Sequence, residues 1–216
     1  MLKKRGRYDV SGLTEAQFEP GSRGRILKNR VGIRTKRELD RVETAALART
    51  VDSLVRTYGA EHRFTAADIC HFHKTWLGDI YEWAGRYRQV NVGKGGFAFA
   101  SSAQIPKLMR DFETGPLQRY TPCNFAMGPT LIRALAEAHV ELMLIHPFRD
   151  GNGRVGRILA SLMALQAGLP LLDFSSIKGK RKQEYFAAVR AGLDENYGPM
   201  EGIFEEVIAK SVSKVS

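Results

Sequence analysis

Hydrophobic positions recur along this chain at steps of three and four residues, except in one stretch where the step falls to two. Between Lys36 and Tyr58, the residues Leu39, Val42, Ala46, Leu47, Val51, Leu54 and Val55 keep helical spacing. Thr65 is placed to cap a second helix that carries Ile69, Phe72, Trp76 and Ile80. Val90 and Val92 then alternate, Gly93-Lys94-Gly95-Gly96 supplies a turn, and Phe97 and Phe99 alternate again, which predicts a β-hairpin. Helical spacing returns over 102–117, 129–145 and 154–167, with two further helices over 180–193 and 200–212. Residues 1–35 contain Gly6, Gly12, Pro20, Gly21, Gly24 and Gly32 and read as irregular chain. The pattern predicts a mostly α fold with one hairpin, its domain over 36–212 and an arm over 1–35.

A chain of 216 residues suits one domain with a substantial core. Charged residues at 26% and hydrophobic residues at 44% belong to an ordinary globular composition. No apolar run approaches the roughly 18 residues of a membrane span. The basic start MLKKRGRYDV lacks the apolar stretch of a secretory signal. Cys70 and Cys123 form no CxxC pair, which fits a reducing, cytoplasmic setting without a zinc site. The net charge of +10 asks for an anionic partner. Positions 1–41 hold twelve Lys/Arg against five Asp/Glu, so the arm is the most basic part. No nucleic-acid motif accompanies that charge, and a solvated arm is the expectation.

One loop concentrates chemistry. IHPFRDGNGRVGR, residues 145–157, follows a helix that turns Leu135, Ala138, Leu142 and Ile145 inward and so delivers His146 at its end. Pro147 stops that helix by removing a donor and fixing φ. Gly151 and Gly153 permit positive φ, so that successive N–H groups can form a concavity. Arg154 opens the next helix, whose N-terminus adds free donors and partial positive charge. Arg154 and Arg157, three apart, can share a face. These parts together describe a polyphosphate cradle. Asp150 fits such a cradle as the one carboxylate ligand of Mg2+ beside phosphate oxygens, and His146 can act as a general base near neutral pH. Phe148 reads as a core anchor. A catalytically idle nucleotide- or nucleic-acid-binding module remains the competing reading, although a pure binder needs neither His146 nor Asp150.

HPFRDGNGRVGR resembles the HxFx[D/E]GNGRxxR signature of the Fic family, within the Fic/Doc superfamily, at every defined position. LKNRVGIRTKRELDRVE is similar to the family's first helix, DIYEWAGRYRQVNV to the segment leading into its flap, and KGGFAFA to the flap itself. The resemblance covers roughly residues 25–212 and implies a Fic-fold helical bundle with one β-hairpin flap. It implies a protein adenylyltransferase, which moves AMP from ATP to a Ser, Thr or Tyr hydroxyl of a target protein and releases pyrophosphate. His146 then resembles the base, Asp150 the Mg2+ ligand, and Gly151, Asn152 and Gly153 the nest around the phosphates. Arg154 would hold the β-phosphate and Arg157 the γ-phosphate. Glycine at 153, where the death-on-curing branch has lysine, favours nucleotidyl transfer over kinase chemistry; transfer of UMP or another phosphate-linked group stays open.

The resemblance also implies that the flap, 87–100, pairs with the target's extended backbone. Gly93-Lys94-Gly95-Gly96 is no P-loop, since it lacks the GK[ST] ending and a following helix. Lys94 is a candidate ATP contact or a solvated turn residue, and Tyr185 a candidate nucleobase neighbour or a packing residue. His71, His73 and His139 read as packed or surface histidines, and Trp76, Tyr81 and Trp83 as core. The family's inhibitory pattern [ST]xxxE[GN] is incomplete, because Ala191 and Tyr197 precede Glu195-Asn196 and Glu201-Gly202. The expectation is a toxin restrained by a small separate antitoxin that sets a glutamate against Arg157.

Overall fold

The computed structural model describes residues 12–214, so the basic stretch at 1–11 lies outside the described residues. Helix α1 spans Lys36–Thr57, capped by the Thr35 hydroxyl, and α2 spans Ala66–Leu77. At Thr65 the cap is reciprocal: its side chain accepts from the Asp68 N–H, and Asp68 accepts from the Thr65 N–H. That helix ends at Leu77, before the predicted Ile80. The hairpin consists of β1, Gly93–Lys94, and β2, Phe97–Ala98, joined antiparallel. Its turn is Gly95-Gly96 alone, with φ of 56° and 78°, the backbone that a tight two-residue hairpin requires. Gly93 and Lys94, predicted in the turn, are therefore strand residues.

The predicted helix over 102–117 is broken into pieces. A short 3₁₀ turn precedes α3, Ile105–Phe112, and a π-helical turn over Glu113–Leu117 contains Pro116, which has no N–H to give an α-helical ladder. Beyond it lie α4, Pro129–Ile145, α5, Asn152–Gln166, α6, Lys180–Ala191, and α7, Gly198–Val212. Pro199 sits in the first turn of α7, where its missing donor costs nothing. The chain is mostly α-helical with one hairpin, as its hydrophobic pattern predicts.

Helix α4 occupies the centre, packed between α5 and α7. Leu131, Ala134, Leu135, Ala138, Val140 and Leu142 are all essentially without solvent exposure, as a helix apolar on most sides must be. Its buried Glu137 is answered by Arg119, Tyr120 and Arg133. The described part of the N-terminal segment, 12–35, is irregular but attached. Ile26 and Ile33 are buried, Phe18 and Leu27 form a β-bridge, and the Arg30 N–H donates to Ile80 O at 2.8 Å. Trp76, Tyr81 and Trp83 are core residues. Cys70 and Cys123 are free thiols. Among the described residues no helix is long and apolar enough to cross a membrane.

Candidate active site

The C-terminal end of α4 places His146 in a left-handed conformation, φ 51° and ψ 59°. Its Nδ1 lies 3.3 Å from Met143 O. A carbonyl can only accept, so the neutral ring carries its hydrogen on Nδ1 and leaves the Nε2 lone pair available. The ring stacks on Phe99, just past β2, at 3.6 Å. Burial is the main influence that holds the imidazole down to about 4, with Arg88 and Lys94 acting in the same direction and Met143 O and Asp150 against it.

The turn after His146 is fastened from inside. Phe148 is fully buried and stacks on His73 at 4.0 Å. The Phe148 N–H donates to Asn152 Oδ1, and Asn152 Nδ2 donates back to Phe148 O, both at 2.8 Å. His73 is buried as well. The Gly85 N–H donates to its Nδ1 at 2.7 Å, so the hydrogen sits on Nε2 and is donated to Asp150 O at 3.1 Å. Burial pulls this ring down to about 4 too.

Gly151 adopts φ 86°, and a β-carbon there would come within 2.7 Å of the Trp76 ring. Helix α5 starts at Asn152, two residues earlier than its sequence predicts. Gly153 is consequently helical, and positive φ belongs to Gly151 alone. A β-carbon at 153 would meet nothing within 4 Å, so glycine there keeps the cleft wall open. The N–H groups of Arg154 and Val155 both reach Gly151 O, while those of Asn152 and Gly153, at the helix start, have no backbone partner among the described residues.

The two arginines differ. Arg154 donates to Glu43 at 2.7 Å and lies over the Trp76 ring at 4.2 Å. Glu43, buried on α1, also accepts from Tyr81 OH at 2.8 Å. Arg157 makes no ion pair among the described residues and has a buried Nε without a partner. Its guanidinium lies 5.3 Å from the Phe174 ring centre and 5.9 Å from that of Tyr185.

These groups converge on one cleft of about 760 Å³, lined by His146, Asp150, Gly151, Asn152, Gly153, Arg154 and Arg157 and closed by Lys94, Phe99, Met143, Lys182, Tyr185 and Phe186. Four cations and one carboxylate line it, a balance that suits a polyphosphate with one metal ion. Lys94 reaches the cleft from β1 with its ammonium 4.7 Å from the Phe186 ring centre. Tyr185 is buried beside it, bonded through OH to His139 Nε2 at 2.7 Å, and so packs and lines at once. Asn152 contributes backbone to the cleft, since its amide is used inside the turn. Asp150 is exposed; one carboxylate oxygen accepts from the Gly151 N–H at 2.6 Å, and the other has no partner among the described residues. No group of three or more potential metal ligands occurs there among the described residues, so a metal would need ligand oxygens from a bound polyphosphate.

The sequence marks His73 as a packed or surface histidine and does not single out Glu43 or Arg88. A signal existed for Glu43, which stands four residues after Leu39 and four before Leu47 on the apolar stripe of α1. A carboxylate at such a position requires a buried partner.

Comparison with known proteins agrees with this geometry. Residues 63–164 match the Fic/DOC family. The chain is 29% identical to the probable protein adenylyltransferase Fic of Escherichia coli K12, over 86% of this chain and 89% of that one. The Fic domain of a putative cell filamentation protein from Bartonella quintana, solved with bound ADP, is similar at a TM-score of 0.67 and 26% identity, covering 88% of this chain and 92% of that chain. The BepC protein of Bartonella tribocorum, with bound AMPPNP, shares the fold at a TM-score of 0.69 and 22% identity, over 91% and 97% of the two chains. With the signature loop, the hairpin and the central helix in these positions, residues 63–164 carry a Fic/DOC-family domain, and the chain is a transferase enzyme of the nucleotidyltransferase kind.

Proposed function

We propose that this protein transfers AMP from ATP to a Ser, Thr or Tyr hydroxyl of a target protein. The observation that carries the reading is the available His146 Nε2 at the edge of a cation-lined cleft that also holds Asp150. In this reading Nε2 takes the hydroxyl proton as the oxygen bonds to the α-phosphorus, and the bond from that phosphorus to the β-phosphate oxygen breaks. Arg154 and Arg157 hold the departing pyrophosphate, and the start of α5 offers its unpaired N–H groups to phosphate oxygens. Held near 4 by burial, the imidazole is neutral at pH 7 and ready to accept; an anionic nucleotide beside it raises its basicity. Mg2+, carried by Asp150 and phosphate oxygens, would neutralise charge on the polyphosphate.

AMP is preferred over UMP because relatives such as the Escherichia coli protein are named adenylyltransferases, and glycine at 153 leaves the cleft open where the kinase branch has lysine. The target lies as an added strand along the flap, 87–100. A separate antitoxin supplies a glutamate to Arg157. This is supported by the lack of an ion pair on Arg157 among the described residues and by an apolar cleft of about 680 Å³ beside it, lined in part by Leu47, Val51 and Leu162. Glu201 is engaged with Arg133 at 3.0 Å, and Glu195 is exposed. Action in the cytoplasm suits the free thiols. Expression of the chain with and without that antitoxin tests this restraint: without it wild type should slow growth and His146→Ala should not, and with it wild type should be harmless. For the transfer itself, ATP labelled on the α-phosphate is incubated with protein, Mg2+ and lysate. Label on a lysate protein is expected, and its absence would refute the reading.

A further inference from the structure

Arg88 is 1% exposed and spends its guanidinium entirely on backbone carbonyls. Nε donates to His146 O at 2.8 Å, Nη1 to Val90 O at 2.8 Å, and Nη2 to Ala100 O at 2.6 Å and Ile145 O at 3.4 Å. Its own N–H donates to Pro147 O at 2.9 Å. Three pieces of chain therefore meet on one side chain: the two legs of the flap, and the end of α4 with the turn that follows. Burying a cation is costly unless its donors are satisfied. The C-terminus of a helix favours such a charge, and the rigid fork of an arginine reaches carbonyls in several directions at once, which lysine cannot. The position of the bracket matters because His146 has a left-handed backbone that is unfavourable for a residue other than glycine. Its carbonyl is held by Arg88, and its ring lies on Phe99, one residue before the Ala100 that Arg88 also holds.

We propose that Arg88 is a positioning residue that fixes the flap relative to the His146 imidazole, so that a hydroxyl presented along the flap arrives at Nε2. The proposal rests on the transfer reaction described above. Arg88 does not line the nucleotide cleft, so its loss should leave nucleotide binding in place.

The test compares wild type with Arg88→Lys and Arg88→Gln in the full chain. Three quantities are read: calorimetric binding of a non-hydrolysable ATP analogue with Mg2+, label transfer from α-labelled ATP to lysate proteins, and the His146 ring-nitrogen shifts by NMR. Analogue affinity is expected within twofold of wild type, transfer at least tenfold lower, and the imidazole moved from one tautomer to a mixture. Transfer within twofold of wild type, or transfer and analogue affinity falling in parallel, overturns the proposal. If wild type labels nothing, the transfer reading fails, and an unchanged His146 tautomer in the variants separately overturns the positioning role. If neither variant melts cooperatively, wild type alone decides: an Arg88 Nε–H that exchanges as slowly as the α4 amides supports the bracket, and exchange at the pace of an exposed arginine overturns it.

Discussion

Replacing Asn152 with alanine should cost stability well out of proportion to the few atoms removed. The side chain is 2% exposed and closes the turn by accepting from the Phe148 N–H and donating to Phe148 O, each at 2.8 Å. Phe148 is itself fully buried, so neither of its peptide groups can turn to water once the amide is gone. Each buried group left without a partner costs about 1–3 kcal/mol, so the pair amounts to ~2–6 kcal/mol. For a chain of this size ~1 kcal/mol moves the melting temperature by ~2–4 °C, giving a fall of ~4–24 °C. Asn152→Asp keeps the acceptor but sets a carboxylate oxygen against Phe148 O and a negative charge directly behind the phosphate cradle. It should therefore lose analogue affinity more than alanine does, for a comparable loss of stability. Thermal denaturation and calorimetry on the three proteins read both effects. An alanine variant melting within about 2 °C of wild type would refute the reasoning.

Gly151→Ala should destabilise by ~2–5 kcal/mol, from left-handed strain and from crowding against a Trp76 ring that Glu43 and Arg154 hold in place, as denaturant unfolding would show; a loss under ~1 kcal/mol would mean the turn relaxes freely. His146→Ala should abolish transfer with analogue affinity nearly unchanged, whereas Arg157→Ala should weaken analogue binding, and equal affinity losses in calorimetry would contradict that division. Acid should destabilise the fold between pH 6.5 and 4. His73, His139 and His146 are each held by burial at about 4 against an ordinary 6.5, so on acidification the unfolded chain takes up protons first, and the stability present above 6.5 declines toward 4. One such group is worth up to ~3 kcal/mol. Replacing the fully buried His139 with phenylalanine should flatten that decline, and an unchanged slope in pH-dependent melting would refute its share.

Much of this was legible in the sequence because local signals agreed with the tertiary outcome. The helical stripe of α1, the cap at Thr65, the all-round apolar α4 and the alternation around a glycine turn each specify their own element. The signature loop was legible because proline, glycines and a helix start act on neighbouring residues. Its fastening was not, since the Asn152 clasp depends on which way one amide points. The contacts of Glu43 with Arg154, of His73 with Asp150 and of Arg88 with His146 join residues 111, 77 and 58 positions apart. No periodicity carries that information. The two extra residues at the start of α5 were hidden by Gly153, which reads as loop but is helical here. Broken regularity past Phe112 likewise followed from Pro116 imposing a π-turn rather than a stop.

The central claim is that His146 and its cleft move the α-phosphate group, and not the γ-phosphate, onto a protein hydroxyl. Parallel reactions with α-labelled and γ-labelled ATP, Mg2+ and lysate, each run with wild type and His146→Ala, test it directly. The account predicts label on a lysate protein only from the α-position and only with wild type. Protein label from the γ-position, or α-label undiminished in His146→Ala, would contradict it.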